Sequence, residues 1–143
     1  EILDRTEDAG LVHFVDNAEG DIQHNCNCCG CACWNVGNIR RRKVPRDVLM
    51  ATYFIRKTDE DLCSGCGECL EICPVDAVKL EDDVAKVDQE WCIGCGVCDT
   101  VCPSGAIKIA LRPDKTGELA SARFKDLHEK ILKGKRQSHH PLR

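Results

Sequence analysis

The chain has 143 residues, 13 of them cysteine, but only three Phe, two Trp and one Tyr, so large apolar side chains alone cannot fill its core. No apolar run is long enough to span a membrane, and an odd number of thiols crowded into tight runs excludes a framework made of disulfides alone. It points instead to metal ligation in a reducing compartment, which places the chain in the cytoplasm. The net charge of −4 is uneven, with residues 1–58 neutral, 59–111 at −9 and 112–143 at +5. An acidic middle excludes nucleic acid as the partner. The chain opens on Glu1 with no signal peptide and is read as processed or as part of a longer one.

These charge steps divide the chain into three: a cysteine-rich N-terminal extension (1–58), a central domain (59–111) and a C-terminal helix with a basic tail (112–143). In the first, an opening helix is expected to stop at Gly10, followed by a strand over Leu11–Val15. Five cysteines then fall close together: Cys26, Cys28, Cys29, Cys31 and Cys33. The basic residues Arg40, Arg41, Arg42, Lys43 and Arg46 follow, and Pro45 is placed to start a helix running towards Lys57, with Val48, Leu49, Met50, Phe54 and Ile55 on its buried side. In the second, Cys63-Ser-Gly-Cys66-Gly-Glu-Cys69-Leu-Glu-Ile-Cys73-Pro74 returns 29 residues later as Cys92-Ile-Gly-Cys95-Gly-Val-Cys98-Asp-Thr-Val-Cys102-Pro103. Each run leads into an alternating strand, and Val84–Val87 joins the first of these through the acidic turn Glu81–Asp83. The third should be an amphipathic helix from about Gly117 to Gly134, with Ala120, Phe124, Leu127 and Ile131 on one face. The fold class is α+β with internal pseudo-twofold symmetry.

The C-x2-C-x2-C-x3-C-P pattern suits an iron–sulfur cube, whose four irons each take one thiolate. Gly65, Gly67, Gly94 and Gly96 let the backbone bend round the sulfides. Two zinc knuckles would have no use for the fourth cysteine or its proline. Residues 59–111 closely resemble the two-cluster bacterial ferredoxin domain, a family that transfers single electrons at low potential. In such domains the fourth cysteine of each run ligates the other cluster. The resemblance therefore implies one [4Fe–4S] cluster on Cys63, Cys66, Cys69 and Cys102, and another on Cys92, Cys95, Cys98 and Cys73.

Four of the five cysteines between Cys26 and Cys33 suffice for a third [4Fe–4S] cluster, and their spacing does not tell which four. The alternatives are a zinc site and a redox-active thiol group; His24 is a substitute ligand or a hydrogen-bond donor to a sulfide. Gly10-Leu-Val-His-Phe-Val-Asp-Asn, followed by His24-Asn-Cys-Asn-Cys-Cys-Gly-Cys-Ala-Cys33, resembles ferredoxin-like proteins of anaerobes that serve large tungsten-dependent oxidoreductases. The particular likeness is to the small iron–sulfur subunit of ATP-independent (class II) benzoyl-CoA reductase. The resemblance implies a non-catalytic electron-transfer subunit, with three clusters and a large oxidoreductase subunit as partner in a hetero-oligomer. Other electron carriers are further partners.

No nucleophile–base pair, phosphate loop or flavin fingerprint accompanies the cysteines. The basic run is expected to meet an acidic partner or to offset the charge of the third cluster. Trp34 and Trp91, each beside a cysteine, are expected to shield sulfides from water. Competing readings are a free soluble ferredoxin, a redox or oxygen sensor built on a labile Cys26–Cys33 cluster, and a catalytic cluster with an open iron.

Overall fold

The computed structural model describes residues 1–16, 18–19, 22–50, 52–115, 121–123, 125–126, 128–129 and 132–133. The chain divides into two compact units, one of Glu1–His13 with Asn27–Thr116 and one of Phe14–Cys26 with Gly117–Arg143. The expected C-terminal apolar face (Ala120, Phe124, Leu127, Ile131) lies outside the described residues.

In the larger unit, α1 (Ile2–Asp8) ends at Ala9, and Gly10 follows at φ 70°, so the expected stop is found. Strand β1 (Val12–Val15) begins directly afterwards. The Nδ1–H of His13 donates to Asn27 Oδ1 at 2.7 Å, and Asn27 belongs to β2 (Asn25–Cys28). Helix α2 (Trp34–Arg42) was not evident in the sequence, because its C-terminal half is the basic run. That placement has a physical reason: three arginines in the last turn sit against the negative end of the helix dipole. Its other residues do the packing, with Val36 and Ile39 fully buried.

The helix expected from Pro45 to Lys57 is corrected. Only one turn forms, α3 (Arg46–Leu49), and Phe54 and Ile55 lie instead on strand β3 (Phe54–Thr58). Aromatic and β-branched residues fit a pleated surface, and a partner strand is available. That partner is β6 (Ile107–Leu111), antiparallel, with Arg56 opposite Ile109 and Thr58 opposite Ile107. The second pair is β4 (Val78–Glu81) with β5 (Val84–Val87), turned through Asp82 and Asp83 at φ 51° and 60°. Thr58 Oγ1 donates to the Ala85 carbonyl at 3.1 Å and ties the two pairs together.

The cysteine repeat is visible in the backbone. Helices α4 (Glu68–Glu71) and α5 (Val97–Thr100) are each one turn long, and each is entered through a glycine at φ 84°, Gly67 and Gly96. The core between them is made of small side chains and sulfur. Val78, Ala85, Ile107 and Cys69 are buried together, with Cys63, Cys73, Cys98 and Cys102 packed against them. Thiols occupy places that leucine or phenylalanine would take in an ordinary domain of this size. The fold is α+β in this region, and among the described residues no helix is long and apolar enough to cross a membrane.

Candidate metal centres

Each cysteine run is a loop followed by one helical turn, so its first three thiols wrap one space while the fourth leaves from the far end of the turn. Cys63, Cys66 and Cys69 line a small cavity whose remaining thiol is Cys102, from the other run. Cys92, Cys95 and Cys98 line a second small cavity together with Cys73. These are the crossed sets of four that the resemblance implies.

Among the described residues, no three donors converge on a point that could hold a single metal ion. Each cavity is lined by four thiols, the number that an iron–sulfur cube takes, with every thiolate on a different iron. The donor set is all sulfur, which iron–sulfur clusters use.

Hydrogen bonds already point at these sulfurs. The amide of Ala85 donates to Cys63 Sγ at 3.4 Å, and that of Ala77 to Cys73 Sγ at 3.3 Å. Burial pushes the Cys95 thiol up to about 11 and the Cys98 thiol up to about 12, the latter despite the opposing charge of Arg56. Burial also raises Cys73. For Cys102 burial acts in the same direction, but the Ser104 hydroxyl and nearby amides outweigh it and bring the thiol below its usual value. Metal binding to buried thiols of this kind would release their protons.

Two glycines permit the close approach of neighbouring chain. A Cβ on Gly94, at φ +65°, would collide with the Phe54 carbonyl oxygen, and one on Gly30 with that of Pro74. The second contact joins the N-terminal cysteine segment to the loop after Cys73. There, Arg40 Nε also donates to Asp76 Oδ2 at 2.9 Å. Within that segment Cys29 accepts from the Ala32 amide at 3.1 Å. A hydrogen bond from the Cys31 thiol and the Ala32 amide lower Cys29 to about 7. Cys28, Cys29 and Cys33 are half-buried, and Cys26 and Cys31 exposed. Cys26 belongs to the smaller unit and the other four to the larger. His24 Nδ1 lies 3.9 Å from Asp16 Oδ1.

Two expectations need revision. Trp34 is 70% exposed at the start of α2, so it is a surface residue and no lid over sulfur. Arg46 is buried and donates through Nη1 to the Cys92 carbonyl, so it braces the second cysteine loop and is withdrawn from any docking patch. Arg41, Arg42 and Lys43 remain exposed.

One residue escaped the sequence reading altogether. Among the described residues Arg56 is the largest fully buried side chain, 1% exposed, and it lines both cavities. The available signal was a lone arginine among alternating residues, Phe54-Ile-Arg56-Lys-Thr58. It becomes legible only once that stretch is known to be a strand.

Comparison with known proteins bears on the same stretch of chain. Residues 56–109 match the family model described as the 4Fe-4S dicluster domain. A protein named probable ferredoxin from Methanosarcina thermophila is 47% identical over 30 residues, 21% of this chain and 52% of that protein. The chain thus spans about half the length of this curated relative. It contains a ferredoxin-like iron–sulfur domain over part of its length. The matched family stretch begins beyond the five N-terminal cysteines.

Proposed function

We propose that this chain is the electron-transfer subunit of a larger cytoplasmic oxidoreductase assembly in an anaerobe, with residues 1–58, 59–111 and 112–143 as its functional parts. The observation that carries the reading is the pair of crossed four-thiol cavities. Cys63, Cys66, Cys69 and Cys102 would hold one [4Fe–4S] cluster, and Cys92, Cys95, Cys98 and Cys73 the other. Such clusters supply one-electron chemistry at low potential. The chain's own contribution is to fix the thiols, exclude water with small aliphatic side chains and aim amide N–H groups at sulfur.

A third [4Fe–4S] cluster is assigned to four of Cys26, Cys28, Cys29, Cys31 and Cys33. Its support is the packing of Gly30 and Arg40 against the loop that follows Cys73, which brings this segment beside the second cavity. Three centres in sequence make a relay, and a relay in one small chain serves a partner that holds the substrate. The partner is a large oxidoreductase subunit, tungsten-containing and of the benzoyl-CoA reductase kind. The −9 charge of residues 59–111 gives that partner a surface to recognise.

Anaerobic iron and sulfide analysis tests this, on the wild-type chain and on one with serine at all five N-terminal positions. The reading expects about 12 irons falling to about 8, with the corresponding loss of a reduced-cluster EPR signal. About 8 irons in both, with zinc in the wild type alone, would refute the relay.

A further inference from the structure

A guanidinium is charged at every working pH, and burying one without a counter-charge is costly. Arg56 is nonetheless 1% exposed, and among the described residues no carboxylate pairs with it. Nη2 donates to Cys69 Sγ at 3.4 Å, in the first cavity. Among the described residues, Nε and Nη1 have no hydrogen-bond partner. The same side chain lines the second cavity, where its charge bears on Cys98. The backbone holds it firmly, since β3 is paired along its length with β6 and the Arg56 carbonyl accepts from Gln89 Nε2 at 2.9 Å.

A buried cation with orphaned donors, placed between two cages of thiols, calls for negative charge on both sides. We propose that Arg56 is an internal cation shared by the two centres, donating to sulfur in each cage and holding both reduction potentials up. This rests on the two-cluster reading above. The physical logic is that each reduction adds an electron to an already anionic site, and a fixed positive charge beside it favours the reduced form. The acidic surface pushes the other way, so Arg56 sets a floor under potentials that residues 59–111 would otherwise drive lower. Arg56 is a tuning residue; the thiols alone would ligate iron.

The test is an EPR-monitored redox titration of the full holoprotein with Arg56→Met and Arg56→Lys, alongside iron analysis of each sample. The reduction equilibrium of both ferredoxin-type centres should shift at least tenfold towards the oxidised form in Arg56→Met, which is about 59 mV for one electron. Arg56→Lys, which keeps the charge, should recover most of that shift. Unmoved potentials at full iron content would overturn the role of Arg56 while leaving the two-cluster reading intact. A shift at one centre alone would overturn the sharing. Fewer than two reducible [4Fe–4S] centres in the wild type would instead sink the reading on which it rests.

Should Arg56→Met fail to assemble, the wild type labelled with ¹⁵N-arginine decides the matter. Pulsed EPR of the reduced protein should show a ¹⁵N coupling that Arg56→Lys abolishes, and its absence in the wild type would refute the contact.

Discussion

Replacing Gly94 with alanine probes the approach of β3 to the second cysteine loop, with Gly105 as the control. Both glycines have nearly the same left-handed backbone, φ +65° and +62°, but a Cβ on Gly94 meets the Phe54 carbonyl oxygen whereas one on Gly105 meets nothing within 4 Å among the described residues. The left-handed conformation costs a residue with a Cβ about 1–2 kcal/mol. A collision with backbone that cannot step aside adds about 1–3 kcal/mol. Gly94→Ala should therefore cost about 2–5 kcal/mol and Gly105→Ala only about 1–2. Anaerobic urea unfolding of the holoprotein, followed by far-ultraviolet circular dichroism, separates them. With a slope of about 2 kcal/mol per molar urea, the midpoint should fall about 1 M further for Gly94→Ala than for Gly105→Ala. Equal shifts in the two variants would mean that β3 does not lie against the loop, and the strand assignment of Phe54–Thr58 would fail with it.

Arg46→Met should lower the urea midpoint and hasten anaerobic iron loss to a chelator, because the half-buried Cys92 carbonyl loses its donor at a cost of about 1–3 kcal/mol; an unchanged iron-loss rate would contradict the bracing role. In the smaller unit, burial raises Asp16, but N–H donors led by Gln23 outweigh this and hold the carboxyl below its ordinary 3.8. A depressed folded-state value stabilises above the unfolded value and is lost as pH falls through the folded one. Hydrogen exchange at the Gln23 and His24 amides, after allowance for the intrinsic pH dependence, should lose protection as the pH drops below about 4. Protection that persists to pH 2 would show that the Asp16 carboxylate does not hold these two amides.

The parts of the fold written in local sequence were readable and the parts made by distant pairing were not. The cysteine runs, the β4–β5 pair and the Glu81–Asp83 turn each depend on neighbours within a dozen residues; β6 was readable from its own alternation, without its partner. β3 depends on β6, and nothing within 45–58 reveals that partner; the run from Val48 to Ile55 satisfies a helical spacing as well as an extended one. The mistake hid Arg56, because an arginine on a helix near a solvated run attracts no notice, whereas one facing inward from a strand between two cages does. α2 was obscured in a related way: Arg40, Arg41 and Arg42 read as a charged patch, when their place is the last turn of a helix whose buried face is Val36 and Ile39.

The crossing of ligands between the two runs is the centre of the account, and one measurement addresses it directly. Starting from the chain in which Cys63, Cys66 and Cys69 are serine, Cys73→Ser or Cys102→Ser is added and iron is counted anaerobically. With the first cavity disabled, Cys102 has nothing left to hold, so its loss should leave the iron content unchanged. Loss of Cys73 should remove about four irons, since that thiol belongs with Cys92, Cys95 and Cys98. If Cys102→Ser strips those irons and Cys73→Ser does not, each run closes its own cluster and the account is wrong.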